Sequence, residues 1–569
     1  MTKHEPQGLG GGLTSYGDPA FAAYLRRSFA RSMGYSRELL GKPVVGITWT
    51  ASGFNNCHRG VPELIEAVKR GVLASGALPL DFPVISLGEV FLAPTSMFYR
   101  NLMAMSVEEM IRGQPMDAVV LVGGCDKTLP ALVMGAASAG KPAIVLATGP
   151  MMTGRHKGER LGACTDCRRF WAQYRAGSVD SDEIEVIEGK LATTAGTCAV
   201  MGTASTMAIL CEVMGLMVPG SAAIPAVHAD RLRAAEETGR AAARLLGTDR
   251  TLDKVITQAS VDNAVRALLA VSGSTNAVVH LAAMVGRLGL KLDLDRLNRL
   301  SDETPVLVDL KPTGDGYMED FFAAGGVGGL LQRLGSLMDL TAPTVIGEPL
   351  SAYTAPEAFI DPAFIRTTDN PVRKDGGLVA LYGSLAPKGA ILKRAAADER
   401  LFEMTARAVV FEDLDDLSRR IDDPDLDVTA DDALVLKNAG PKACGMPEAG
   451  YLPIPKKLAQ KGVKDMLRLS DARMSGTAFG TIVLHITPES AVGGPLALVR
   501  NGDTIRLDVA KRSIDLLVDD AELAKRRAAL APAPTPEWAK RGYAHLFNET
   551  ILQADEGCDF DFMRGQGKD

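Results

Sequence analysis

Cys125, Asp126 and Lys127 follow one another in the run Val120-Leu-Val-Gly-Gly-Cys125-Asp126-Lys127-Thr-Leu-Pro130. A thiolate is a soft metal ligand and a carboxylate a hard one, so the two side by side suggest two different metals close together. Two further cysteines sit in comparable loops. Cys57 lies in Ser52-Gly-Phe-Asn-Asn-Cys57-His58-Arg59-Gly60, and Cys198 in the small-residue stretch Thr193 to Met207. None of the three belongs to a CxxC pair. Iron–sulfur clusters are held by cysteine thiolates, usually four, and three widely spaced ones can leave one iron open to substrate. The competing reading is that each is a small buried hydrophobe.

Other chemistry-bearing residues are less distinctive. Cys164-Thr-Asp-Cys167 has redox or zinc spacing, but neither a second CxxC nor paired histidines accompany it, so it reads as structural. Arg168 and Arg169 follow it and read as a solvated face that can touch an anion. The seven histidines form no HxH or HExxH set, and only His58 is placed beside a candidate ligand. Ser475 has no G-x-S-x-G surroundings, which excludes the nucleophile elbow of an acyl hydrolase.

The elements that must position these residues are legible as periodicity. Pro43–Trp49, Met116–Val122, Ala143–Thr148 and Thr304–Asp309 read as short buried strands, and Pro62–Leu73 and Ala234–Leu246 as helices. Strands alternating with helices from Lys42 to about Val345 predict an α/β domain with a parallel sheet, and ligands bind such sheets beyond the carboxyl ends of the strands. The glycine run 325–329 does not follow a strand and reads as the turn that starts a helix. After Arg366 the texture changes to short β-like segments, among them Ala408–Phe411, Ala433–Leu436, Thr481–Ile486, Thr504–Val509 and Ser513–Leu517, a spacing that suggests a barrel or sandwich. The expected division is a mobile tail over 1–25, an α/β domain over 26–365 and a β-rich domain over 366–569, with a proline-punctuated linker in 343–371.

Composition narrows the function further. A chain of 569 residues, 46% hydrophobic and 23% charged, is expected to be globular with two or more domains. Its net charge of −7 argues against nucleic acid as a partner. No apolar run approaches the roughly 20 residues of a membrane helix, and the N-terminus does not read as a secretory signal. Eight cysteines are too few for a disulfide scaffold, which fits a reducing cytoplasm.

Four strings carry a resemblance: GGCDKTLPALVMGA (123–136), TAGTCAVMGTASTM (194–207), CGMPEAG (444–450) and SDARMSGTAFGT (470–481). They are similar to the signatures of the dihydroxy-acid and sugar-acid dehydratase family, in order, from about Arg27 to Val518. The resemblance implies an α/β domain, a C-terminal β-barrel domain and an active site between them. It implies Cys57, Cys125 and Cys198 as ligands of a [2Fe–2S] cluster, with [4Fe–4S] as the alternative. Glu89, Asp126 and Glu448 become Mg²⁺ ligands, and Lys127 a lysine that carbamylation turns into a further oxygen ligand. Ser475 becomes the general base, with Thr477 orienting it or the substrate. The expected reaction is dehydration of a 2,3-dihydroxy carboxylate to a 2-keto-3-deoxy acid by a homodimer or homotetramer. DARMSGT at 471–477 and AGTCAVMGTASTM at 195–207 depart from the branched-chain strings, which shifts the expectation towards arabinonate, xylonate, fuconate or galactonate. Branched-chain dihydroxy-acid dehydration and a non-catalytic iron–sulfur protein are the alternatives.

Overall fold

The computed structural model describes residues 5–13, 16–531 and 536–565. Four strands, β1 (Val44–Trp49), β2 (Leu78–Pro83), β3 (Ala118–Gly123) and β4 (Ala143–Ala147), form a parallel sheet in the order β2-β1-β3-β4. Its central strand β3 is buried along its whole length, as its unbroken Val/Leu run requires when helices cover both faces. Helix Val61–Ala74 crosses helix Ala229–Arg244 at paired glycines. A Cβ on Gly71 would stand 2.0 Å from the Glu236 carbonyl oxygen, and one on Gly239 would stand 2.2 Å from that of Val68. Only glycine lets the two backbones approach so closely. A two-stranded hairpin, β5 (Gly154–His156) and β6 (Glu159–Leu161), leads into helix Thr165–Ala176.

The second sheet has eight strands: β7 (Val379–Leu381), β8 (Gly389–Leu392), β9 (Glu403–Phe411), β10 (Ala433–Leu436), β11 (Arg468–Ser470), β12 (Ile482–Thr487), β13 (Thr504–Asp508) and β14 (Ser513–Leu516). Their order is β14-β13-β9-β10-β11-β12-β8-β7. Tyr382, one residue past β7, closes the circle: its N–H donates to Arg512 O (2.9 Å) and its carbonyl accepts from Ile514 N (2.7 Å). This near-closure leaves little free edge, and alternate residues such as Ala408, Val410, Val483, Ile505 and Leu507 fill the interior. The fold is thus the expected α/β domain with a parallel sheet, joined to a barrel-like β domain.

The structure differs from expectation in three places. Thr304–Asp309 is not a strand of the sheet; it makes isolated bridges at Val306 with Arg373 and at Val308 with Ile365. Within the expected tail, Pro19–Ser32 is a helix, capped where the Asp18 carboxylate accepts from Ala20 and Phe21 N–H; residues 1–4 and 14–15 lie outside the described residues. The C-terminal segment returns to the α/β part, where the buried Arg100 donates to the Gly557 and Cys558 carbonyls (both 2.7 Å) and Arg287 pairs with Asp559. Among the described residues no helix is long and apolar enough to cross a membrane.

Candidate active site

The loop after β3 is tightly constrained. A Cβ on Gly124 would stand 2.0 Å from Thr148 Oγ1, so only glycine fits before Cys125, and Cys125 itself adopts a left-handed conformation with φ 64°. That backbone costs a non-glycine residue of order 1–3 kcal/mol and persists only where the surroundings enforce it. His58 supplies part of that enforcement. Its Nε2 accepts from Gly124 N–H (2.9 Å) and its Nδ1 donates to Thr50 O (2.7 Å), so the ring locks the Cys57 loop to the Cys125 loop. Burial lowers the His58 pKa and keeps the ring neutral, as this pair of bonds demands.

The neighbouring Cys125 thiol, with burial, holds Cys57 well above its ordinary range. Cys198 lies in the same cluster, and so does a residue that the sequence reading had set aside. Cys164 Sγ is 3.4 Å from Cys198 Sγ. The CTDC segment, read from sequence as structural, thus lies against the Cys198 loop. Hydrogen bonds from Cys167 and Cys198 stabilise the Cys164 thiolate and hold it well below the thiol range. Cys164 thus meets Cys198, 34 residues on in the chain, as well as Cys167. Cys211, Cys444 and Cys558 pack instead into separate apolar clusters.

Beside the thiols lies a group of carboxylates. Glu89, Asp126 and Glu448 each offer one oxygen, and these all lie within 4.8 Å of one another. Lys127 Nζ, fully buried, stands 3.1 Å from Glu89 and 3.4 Å from Asp126. Arg473 spans the other side, with Nη2 2.9 Å from Glu89 and Nη1 2.6 Å from Glu448. The environments divide the three acids. Burial opposes ionisation of Glu89, but Lys127 and Arg473 outweigh it and hold the carboxyl well below the usual range. Burial pushes Glu448 up to about 7, against Arg473 and with help from Glu89. Burial likewise raises Asp126 despite Lys127. Three converging carboxylate oxygens fit a hard divalent cation. Arg473 was not singled out from sequence, because its role lies in contacts to residues far away in the chain.

The hydroxyl pair comes from the barrel side. Ser475 Oγ is 2.8 Å from Thr477 Oγ1, and Thr477 N–H points to Ser475 Oγ at 3.4 Å. Thr165, inside the CTDC segment, donates to Thr477 O (3.1 Å), which ties this loop to the thiol side. The loop is wedged in place: a Cβ on Gly476 would meet Ser274 Cβ at 2.6 Å and Thr203 N at 2.9 Å. Lys393, also missed from sequence, is fully buried, and its Nζ donates to Gly476 O (3.2 Å). Burial pushes its pKa down to about 7.

An open cavity of about 1140 Å³ adjoins the thiols and is lined in part by Val90, Cys164, Cys167, Arg168, Tyr451 and Phe479. Arg169 is committed to Asp166 and Glu159. Arg168 has no carboxylate partner among the described residues; it stacks 4.9 Å over the Tyr451 ring, and its buried Nε has no hydrogen-bond acceptor.

Residues 42–353 match the family model for the dihydroxy-acid/6-phosphogluconate dehydratase N-terminal domain, and residues 363–558 match its C-terminal counterpart. The chain belongs to the dihydroxy-acid/6-phosphogluconate dehydratase family. Curated relatives agree over almost the full length. The chain is 45% identical to an L-arabonate dehydratase of Azospirillum brasilense (95% of this chain, 94% of the relative). It is 44% identical to a 6-deoxy-6-sulfo-D-gluconate dehydratase of Pseudomonas putida (95% and 94%), and 35% identical to a dihydroxy-acid dehydratase of Methanoregula boonei (94% and 96%). This dehydratase is a hydro-lyase that removes water from a dihydroxy acid, and the sugar-acid relatives are the more similar of those compared.

Proposed function

We propose that this dehydratase converts a sugar acid of the arabinonate, xylonate, fuconate or galactonate type to its 2-keto-3-deoxy acid. Its cofactors are then Mg²⁺, on Glu89, Asp126, Glu448 and a carbamylated Lys127, and an iron–sulfur cluster on Cys57, Cys125 and Cys198. The observation that carries the reading is convergence: a carboxylate triad within 4.8 Å, a group of thiols and the Ser475–Thr477 hydroxyl pair meet where the two domains join. The donor chemistry fits both groups, oxygen for a hard cation and sulfur for iron. When bound, the two metals supply Lewis acidity for a substrate carboxylate, an acidified C2 position and a departing C3 hydroxyl.

The residues of the chain do the rest. Ser475 Oγ takes the C2 proton, and the Thr477 hydroxyl and N–H stabilise the negative charge that Ser475 must carry to act as a base. Carbamylation of Lys127 replaces a cation by an anion beside three carboxylates, which is tolerable only with a divalent cation among them, so modification and metal binding are coupled. The unpaired Arg168 faces the cavity into which the far end of a sugar acid would extend.

The branched-chain reading retains only the more distant relatives in its favour. A panel of aldonates and 2,3-dihydroxyisovalerate, assayed for keto-acid release by enzyme loaded with iron, sulfide and Mg²⁺, decides between them. Higher kcat/KM for the branched-chain acid than for every aldonate would sink the sugar-acid reading. The homo-oligomer rests on the family resemblance; a monomeric mass for fully active enzyme in light scattering would contradict it.

A further inference from the structure

Lys393 directly follows β8, and its side chain is fully buried. Among the described residues its Nζ makes one hydrogen bond, to Gly476 O (3.2 Å), and no ion pair. Gly476 stands between Ser475 and Thr477, so the amine rests on the backbone that carries the hydroxyl pair. That peptide cannot shift to suit the lysine, because Ser274 and Thr203 wedge it from the other side.

Charges on the neighbouring loops are engaged elsewhere. Arg394 pairs with Asp375 (2.9 Å), Arg468 with Asp465 (2.7 Å), and Arg473 with Glu89 (2.9 Å) and Glu448 (2.6 Å). The Asp471 carboxylate accepts from Ala439 N–H (3.0 Å) and Ser490 N–H (2.8 Å). Burial alone accordingly shifts Lys393, down to about 7. A buried amine without a counter-ion is unfavourable, and an apolar side chain of the same length would avoid the cost. An unpaired, perturbed amine beside a reacting group is the pattern of a functional site. A hydroxyl that acts as a base must carry negative charge. Thr477 offers it a hydroxyl and an N–H, but no full positive charge. A cation one peptide away supplies that charge, and supplies it best where no carboxylate competes for it.

We propose that Lys393, as an ammonium, is a positioning residue for the base, holding the Gly476 peptide and offsetting the negative charge on Ser475. The proposal rests on the reading of Ser475 as the base. The two ionisations reinforce each other, since the alkoxide favours the ammonium as much as the ammonium favours the alkoxide. One proton leaves Ser475 and one stays on Lys393, so the pair remains neutral overall. As pH rises through the Lys393 pKa in the substrate complex, the ammonium is lost and Ser475 reverts to a hydroxyl.

The test compares kcat from about pH 6 to about pH 10, below the roughly 10.4 of a free lysine, for wild type and Lys393→Met loaded with iron, sulfide and Mg²⁺. Wild-type kcat should fall with a single ionisation towards high pH. Lys393→Met should lack that descending limb. Its kcat at the wild-type optimum should be about 10²–10³-fold lower, the effect of removing one group aimed at developing charge, with KM little changed. A Lys393→Met profile that keeps the limb, or a kcat within twofold of wild type, overturns the proposal. So does recovery of wild-type kcat in Lys393→Gln, which has a donor and no charge. If neither variant folds, the wild-type profile decides, and absence of a descending limb overturns the proposal. Ser475→Ala keeps the two readings apart. Adding Lys393→Met to Ser475→Ala should cost nothing further, and a further loss counts against the proposal. Near-normal kcat in Ser475→Ala itself strikes the assignment of the base.

Discussion

Gly476→Ala probes whether the wedged loop sets the position of the base. The new Cβ would lie 2.6 Å from Ser274 Cβ and 2.9 Å from Thr203 N. Ordinary carbon contacts begin near 3.5 Å, so loop and wall must separate by about 1 Å. The wall gives little, because Thr203 and Ser274 are bonded to each other (2.8 Å) and Asn276 donates to Thr203 (3.2 Å). The loop therefore moves, and Ser475 moves with it. A misplacement of about 1 Å costs on the order of 10²-fold in rate, and overpacking costs about 1–3 kcal/mol of stability. The expected outcome is a kcat lower by about 100-fold with unchanged iron content, and a parallel loss of solvent exchange at the C2 hydrogen. Gly189→Ala is the control: its Cβ meets nothing within 4 Å, so activity should be unaffected. A Gly476→Ala enzyme with kcat within twofold of wild type would refute the argument that packing positions Ser475.

Glu448→Gln should raise the Mg²⁺ concentration for half-maximal activity by about 100-fold, since even outer-sphere partners are worth 10–100-fold; an unchanged Mg²⁺ titration would remove Glu448 from the ligand set. Arg168→Ala should raise KM for the preferred aldonate about 10–100-fold, the worth of a charge-assisted hydrogen bond, with kcat little changed; equal KM values across the panel would show that Arg168 reads nothing. Lys393 offers a pH signature. Its folded pKa of about 7 lies below the roughly 10.4 of an unfolded lysine, so between those values the unfolded chain binds more protons. Stability relative to Lys393→Met should accordingly rise as pH increases from about 7 towards 10, by at most about 1.4 kcal/mol per pH unit. A thermal-midpoint difference between the two proteins that stays flat with pH would contradict burial as the cause.

Much of this organisation is written locally in the chain. β1, β3 and β4 are continuous apolar runs, and β10 coincides with Ala433–Leu436, because a strand covered on both faces can carry nothing else. β2 escaped notice because Leu78–Pro83 holds two prolines and Asp81, and β11 because three residues are too few to show a period. Thr304–Asp309 misled in the opposite sense, since an apolar run specifies burial and not partners. At the site, Cys125 and Asp126 are conspicuous because adjacent residues announce themselves. Arg473, Lys393 and Cys164 are not, because their contacts reach partners 384, 83 and 34 positions away.

All the clustered thiols precede residue 199, whereas Glu448, Arg473 and Ser475 come from the barrel strands and the loops between them. During synthesis the thiol-bearing half emerges first, and domains fold largely in that order. Until the later half docks, Gly202 and Thr203 lack the Gly476–Thr477 loop that finally rests against them. The nascent chain thus passes through a stage in which the thiol loops are present without the barrel residues that complete the site. On the proposed cluster reading, the yield of active enzyme then depends on iron delivery during translation as well as on the stability of the finished fold.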